Sequence, residues 1–430
     1  MVDMLNRTSE RNPNLIRHSV DLHQAGDIPP DTFVIDLDSV ESNAKKMVEE
    51  AKKIGINLYY ITKQIGRNPI VAKTIVKSGI KKAVVIDIDE CRIMHNYGFP
   101  IGHVGHLVQV PNRDLKFVID EVRPDFMTVY DLHKADEISN KAKEIGVKQN
   151  IILKIHNPGE FSYPEQISAG GFSNQSLQKV VNHIRKRQNI EINGVTCFPS
   201  FRVDISKREE VPTPNVKSLL SAARILQKMG IDIRQINIPA DNSSITFPLS
   251  KAVAEEFGEF VCVEPGHGLT GSTPLHMLKH DLPEVPSIVY ISEISHSSGD
   301  TYYAYGGGMM GADPAIGVWS TDYQFFMHAL IGNKGRNIFE NQAIVRPVGF
   351  IDYYIPIRVA LSQTANVGDT VVFGFRPQIF VTRSHVAVVK GINKNKPKLI
   401  GLFDSRGNLL DNKTLRCKST VETKEFVDSF

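Results

Sequence analysis

Three short stretches carry residues whose types suit one chemistry. In LYYITKQIGRNP, residues 58–69, an apolar run stops at Lys63, and Gln64, Gly66 and Arg67 follow. A lysine held where strands and loops exclude water gives up its charge more readily. A neutral amine attacks carbonyls and forms a Schiff base. In PADNSSITF, 239–247, Asn242, Ser243 and Ser244 directly follow an apolar strand and offer small amide and hydroxyl donors. Such donors at a strand–helix junction suit a phosphate. In VCVEPGHGLTGSTP, 261–274, an apolar strand leads into Glu264, and Gly266 and Gly268 flank His267. The glycines let backbone N–H groups approach an anion closely. An inward-facing Glu264 needs a cationic partner, because an unpaired buried carboxylate is costly. Each stretch has a structural alternative: a solvated rim lysine, a helix N-cap by Asn242 or Ser243, and a salt bridge from Glu264 to an arginine.

One small molecule satisfies all three stretches. It brings an aldehyde for Lys63, a phosphate for the serine and glycine donors, and a basic ring nitrogen for Glu264. Pyridoxal 5′-phosphate has those handles.

The elements that must position these residues are legible as an alternation. The 430-residue chain is 41% hydrophobic and 23% charged, enough for two to three domains with a sizeable core. A net charge of +3 gives no electrostatic reason for nucleic acid or an anionic membrane as partner. Cys91, Cys197, Cys262 and Cys417 show no C-x-x-C spacing, so neither a disulfide framework, a zinc site nor any other metal is expected. The start, MVDMLNRTSERN, lacks the apolar stretch of a signal peptide, and no segment approaches the ~20 apolar residues of a membrane helix. A cytoplasmic location is expected.

Residues 1–30 are polar and read as an N-terminal arm. Candidate strands follow at Leu58–Thr62, Ala83–Ile88, Val104–Val110, Phe126–Tyr130, Ile151–Ile155, Gly194–Phe198, Ile236–Pro239 and Phe260–Val263, with helical periodicity at 40–55 and 70–79. Eight short apolar strands separated by helices predict a parallel (β/α)8 TIM-like barrel over 31–275, with a doubly wound sheet as competitor. After Pro274, Pro283 and Pro286, the runs SIVYISEIS, TYYAYGG, YYIPIRVAL, GDTVVFGF and HVAVVKGI predict a C-terminal all-β domain over 276–430.

The three motifs, in this order, resemble those of the fold-type III pyridoxal-phosphate enzymes, the alanine-racemase-like barrels, and within them the YhfX-type branch. The resemblance covers about residues 31–390. LYYITKQIGRNP is similar to the family's first barrel strand, with Lys63 in the place of the cofactor-binding lysine. ADNSSIT is similar to the racemase segment Ala-Ala-Asn-Ser-Ala-Ala-Thr, which implies Ser243, with Asn242 beside it, on the phosphate. EPGHGLTGSTP is similar to the family's Glu/Arg-Pro-Gly strand end, which implies Gly266 and His267 on the phosphate and Glu264 beside the pyridine nitrogen. Arg67 falls where racemases place a phosphate-contacting tyrosine, and a surface arginine is its alternative. The resemblance also implies a homodimer whose subunits share their active sites, and an amino acid as small-molecule substrate.

The reaction is the less determined part. Tyr305, in AYGGG, aligns with the tyrosine that family racemases supply from the partner subunit, so Lys63 and Tyr305 would be the two bases. Against this, racemases have arginine where Glu264 stands, whereas family decarboxylases have glutamate. Asp352, Tyr353 and Tyr354 replace the decarboxylases' Cys-Glu-Ser-Gly-Asp segment. Cys197 or Phe198 stands where racemases carry a ring-stacking histidine, and His156 is a possible pocket residue in a loop longer than theirs. The expectation is a racemase or epimerase acting through a Lys63 Schiff base and a Cα carbanion. The alternatives are a decarboxylase, a D-amino-acid lyase, or a non-catalytic pyridoxal-phosphate-binding protein.

Overall fold

The computed structural model describes residues 3–162, 170–240, 243–309, 327–333, 338–345, 351–360 and 363–430 (the side chains of 252, 254 and 259 excepted). The chain forms two compact units. One comprises Met47–Thr62 and Gly79–Gly266; the other comprises Met1–Lys46, Lys63–Ser78 and His267–Phe430.

In chain order, β1 (Thr32–Asp36) is followed by β2 (Asn57–Ile61), β3 (Lys82–Val85), β4 (Ile101–Val104), β5 (Phe126–Val129), β6 (Gln149–Lys154) and β7 (Ile190–Thr196). Then come a hairpin of β8 (Phe201–Asp204) and β9 (Glu209–Pro212), and finally β10 (Gln235–Asn237) and β11 (Val261–Val263). Eight of these close into a parallel barrel in the order β10-β11-β2-β3-β4-β5-β6-β7, as the sequence predicts. The strands are short and apolar because both faces are covered. Every strand therefore ends on the same rim, and that rim is where side chains for chemistry collect.

Three strands differ from expectation by three or more residues at an end; one of them, expected at Gly194–Phe198, lies at Ile190–Thr196. The strand expected at Val104–Val110 lies at Ile101–Val104. It stops at Gly105, whose φ of +85° turns the chain, and Val108 is exposed. The strand expected to reach Ile88 ends at Val85, because the Asp87 side chain accepts the Glu90 N–H at 2.7 Å and caps the helix Ile88–Asn96.

The other unit is built on antiparallel strands: β12 (Ile288–Ser298), β13 (Thr301–Tyr305), β14 (Met327–Gly332), β15 (Gln342–Val345), β16 (Tyr354–Val359), β17 (Thr370–Phe373), β18 (His385–Lys390) and β19 (Lys398–Asp404). They lie in the order β13-β16-β15-β14-β17-β12-β1-β18-β19, and an additional β12–β13 pairing curls the sheet back on itself. Strand β1 thus belongs to this sheet, antiparallel to β12 and parallel to β18, although the sequence places residue 32 within the barrel range 31–275. Residues 267–275 likewise group with this unit.

The segment expected as an arm, 1–30, contains helices α1 (Met4–Arg11) and α2 (Pro13–Gln24), capped by Asp3 and Asn12. Their apolar faces, with Leu5, Leu15, Ile16 and Val20, close one core with Val34, Val289, Ile291, Val372 and Ala387 of the sheet. The chain after Asp411 ends in the helix Thr420–Ser429, which starts with a Ser419–Glu422 capping box.

Candidate active site

In the barrel unit the strand ends form a polar floor. Glu264 follows β11 directly and is fully buried. Its Oε1 accepts from Asn237 Nδ2, on the last residue of β10, at 2.6 Å, and lies 2.8 Å from His103 Nδ1 on β4. The Asn237 amide is oriented by Gln235, whose Nε2 donates to Asn237 Oδ1 at 2.6 Å. His103 Nε2 is hydrogen-bonded to the Thr128 hydroxyl on β5. Asn237 Nδ2 also lies 2.7 Å from His103 Nδ1, so the amide, the imidazole and the carboxylate meet at one point. Glu264 Oε2 makes no hydrogen bond among the described residues and lies 3.8 Å from His106 Nε2.

The side chains beside Glu264 are thus imidazoles rather than an arginine. His103, His106 and Glu264 offer ligand atoms within 4.8 Å of one another, which is also a donor set for a divalent metal. Cysteine spacing, on which the expectation of no metal rested, says nothing about this cluster.

Across the barrel rim, Lys154 closes β6 and is only 4% exposed. Its Nζ lies 5.5 Å from the Phe198 ring centre and 5.8 Å from that of Tyr130. Burial lowers its pKa to about 8, against weaker opposing pulls from Cys197, Glu264 and Glu160. A depressed lysine pKa costs stability where the ammonium must stay charged inside. That cost is complete below pH 8 and fades as pH rises from about 8 to 10.5. We expect Lys154→Met to stabilise the ligand-free protein at pH 7 by roughly 3 kcal/mol, from the pKa difference at ~1.36 kcal/mol per unit. Urea unfolding at pH 7 and pH 10 checks this: the gain should shrink at the higher pH, and a destabilised variant at pH 7 would refute it.

Cys197 is buried, its thiol pushed up to about 11, and it lies 3.3 Å from the Ser200 hydroxyl. Phe198 packs edge-on to His106, with ring centres 5.8 Å apart. His156 lies beside a cavity of about 1000 Å³ that is also lined by Glu160, Phe161, Gly171, Phe172 and Arg202. Ser243 and Ser244 are buried. Ser243 occupies the N-cap position of the turn Ser244–Ser250, but its side chain does not cap it. Asn242 lies outside the described residues. Gly266 ends the segment that begins with Glu264, and the intervening Pro265 carbonyl accepts the Ile61 N–H of β2 at 3.1 Å.

The other unit holds the remaining candidates. Lys63 opens the turn Lys63–Ile65, two residues beyond β2. His267 is buried and its Nε2 lies 3.4 Å from Gln378 Nε2. Burial first, then the charges of Arg376 and Lys63, hold its pKa well below the usual imidazole value. His267 is therefore neutral among cations, a neighbourhood that favours an anion. Arg67 is buried rather than a surface arginine, with its guanidinium 5.8 Å from the Phe380 ring centre.

Tyr305 ends β13 and is 38% exposed. The turn after it is fixed by Asp352, which is buried and accepts the Gly307 and Met309 N–H groups at 2.9 and 2.8 Å. Only glycine fits at 307, where φ is +145° and a Cβ would come within 1.9 Å of Asp31 Oδ2. Tyr353 and Tyr354, beside Asp352, are exposed.

The geometry therefore groups Glu264 with His103, His106 and Asn237, and His267 with Lys63, Arg376 and Gln378. Of these, His103, His106, Asn237, Arg376 and Gln378, and apart from them Lys154, were missed by sequence reasoning. The signal was present for the first two in IGHVGH, two glycine–histidine steps at a strand end, and for Lys154 in IILKIHNPG, an apolar run closed by lysine as at Lys63.

Comparison with known proteins converges on one family. Residues 35–274 match the alanine racemase N-terminal domain, and residues 289–399 match the YhfX-like C-terminal domain. The Escherichia coli (strain K12) "uncharacterized protein YhfX" is 36% identical over 401 residues, 93% of this chain and 97% of that one. Alanine racemase of Clostridium difficile 630, in complex with cycloserine, superposes with a TM-score of 0.59 at 18% identity, over 87% of this chain and 98% of its own. Diaminopimelate decarboxylase from M. jannaschii, with L-lysine, does so with a TM-score of 0.60 at 15% identity, over 92% and 93%. At such identities the two structures speak for the fold and not for the reaction. With a strand-end lysine, a buried strand-end carboxylate and both family domains in order, this chain belongs to the alanine-racemase-like, fold-type III family of pyridoxal-phosphate enzymes.

Proposed function

We propose that the protein is a pyridoxal-phosphate-dependent amino-acid racemase or epimerase. The observation that carries the cofactor assignment is Glu264: a fully buried carboxylate with one oxygen held by Asn237 and His103, and the other without a hydrogen bond among the described residues. That second oxygen fits a protonated ring nitrogen, and a buried acceptor left open is otherwise costly. When bound, pyridoxal phosphate supplies an aldehyde that condenses with amino groups and a ring that accepts the electrons of a broken Cα bond.

Lys63 would hold the aldehyde and, once displaced by substrate, move the Cα proton at its Nζ. Glu264 would keep the ring nitrogen protonated, with His103 and Asn237 holding the carboxylate in place. Ser243, Gly266, His267 and Arg67, with Asn242, would hold the phosphate, and Arg376 adds positive charge beside His267. Tyr305, on the exposed end of β13, would serve as second base to the other copy in a homodimer. No helix among the described residues is long and apolar enough to cross a membrane, and a cytoplasmic site of action is part of the same reading.

The competing reading is a decarboxylase or D-amino-acid lyase, favoured by glutamate rather than arginine at 264. Incubation in deuterium oxide with a panel of L- and D-amino acids separates them. A racemase incorporates deuterium at Cα and inverts configuration. Carbon dioxide without inversion would establish a decarboxylase, and cleaved side-chain aldehyde a lyase. Bound cofactor with no exchange for any amino acid would establish a binding protein.

A further inference from the structure

We propose that Lys154 is the carboxylate subsite of this enzyme, its ammonium receiving the carboxylate of the amino-acid substrate. The inference rests on the amino-acid reading above and adds the residue that would recognise the substrate's acid group.

Four observations carry it. Lys154 ends β6 on the barrel rim, and β6 lies four strands from β2 in either direction around the closed ring. The strand that leads into Lys63 and the one that ends in Lys154 are therefore opposite each other. Second, its place is built. At Gly171, with φ +136°, a Cβ would approach the Lys154 carbonyl oxygen to 2.9 Å and its Cγ to 3.0 Å, so only glycine admits the stem there. The Phe172 N–H also donates to the Lys154 carbonyl at 2.8 Å.

Third, among the described residues no acidic side chain forms an ion pair with the head. Glu160 and Glu264 act on it through space, yet among the described residues neither makes an ion pair with it; Glu160 is committed to the Asn157 N–H at 2.7 Å and Glu264 to Asn237 and His103. The rings of Tyr130 and Phe198 give a cation some stabilisation, but less than a partner charge. A buried cation without an ion pair is expensive to keep unless an anion arrives. Fourth, the proposed phosphate donors stand elsewhere, after β10 at Ser243 and after β11 at Gly266, so the anion left for Lys154 is the carboxylate.

A carboxylate held by an ammonium keeps its negative charge where it is. Loss of carbon dioxide requires that charge to move toward Cα, so this contact opposes decarboxylation and leaves the Cα–H bond as the one to break.

The test compares acids with amides. L-Alanine, L-serine, L-glutamate and L-lysine, and their α-carboxamides, are titrated into pyridoxal-phosphate-loaded protein, and binding is followed by the visible absorbance change. Wild type should bind at least one acid about tenfold or more tightly than its amide. Lys154→Met should abolish that preference by weakening the acid alone, and Lys154→Arg should retain it. Borohydride-fixed pyridoxyl content on the same preparations shows whether cofactor is held at all. If it is absent in wild type, the cofactor reading fails on its own, and calorimetric titration of the cofactor-free protein with sodium acetate still decides Lys154: binding in wild type and none in Lys154→Met supports the subsite. No acid preference in wild type, or an unchanged preference or unchanged acetate binding in Lys154→Met, overturns it.

Discussion

Lys63→Ala is expected to yield a folded protein in which borohydride fixes no pyridoxyl group, and in which Cα proton exchange falls at least roughly a thousandfold. Two functions leave together. The Nζ anchors the aldehyde covalently, and the same atom is one of the two bases, a role worth ~10²–10⁴ by itself. The substitution spares the barrel. Lys63 lies two residues past β2, in a three-residue turn whose neighbours Gln64 and Ile65 supply the buried side chains. Absorbance near the visible edge before and after borohydride, with peptide mapping of the fixed label, reads the first effect, and deuterium incorporation reads the second. Label fixed in undiminished amount in the variant, or fixed at another lysine in wild type, would remove Lys63 from the chemistry.

Glu264→Gln separates the cofactor's anchorage from its electronic state. Glutamine has nearly the same volume, and its carbonyl still accepts from Asn237 at the position where Oε1 now accepts at 2.6 Å. What it lacks is negative charge. Without that charge nothing in the floor favours a protonated ring nitrogen, although a carbonyl at the Oε1 position keeps the contacts to both Asn237 and His103. Pyridoxyl fixation at Lys63 should therefore persist, while Cα exchange falls by roughly 10² or more, the scale of losing one preorganised electrostatic partner of the transition state. The test is the ratio of the two readouts. Exchange within about threefold of wild type at full fixation would show that the ring nitrogen is not held by this carboxylate. Lost fixation would show Glu264 to be a structural ion-pair partner of the histidines.

Some of this site was open to reading in one dimension because strand ends are written in local sequence. Lys63, Glu264 and Lys154 each close an apolar run, and a charged residue there stands on the rim of whatever barrel forms. The pairing of Glu264 was not readable: its partners His103 and Asn237 are separated from it by 161 and 27 residues, and contacts over such spans are set by barrel closure. Misplacing one strand had a local cost. With β4 expected at Val104–Val110, His103 and His106 fell before or at the start of a strand, whereas in the structure they stand at its carboxyl end.

Sequence by itself determined the alternation of eight strands with helices, the all-β character of the C-terminal part and the three chemical motifs, because periodicity, glycine placement and residue type are properties of neighbours along the chain. The tertiary structure decided which sheet each strand joins. TFVID at 32–36 reads like any buried barrel strand, yet its edge pairs with residues 288–291 and 385–389. It also decided that Lys154 is buried, and among the described residues without an ion pair, rather than solvated. A lysine's charge state and cost depend on the dielectric and partners around its head, and those are supplied by Tyr130, Phe198, Cys197 and Glu264, residues that only folding brings near it.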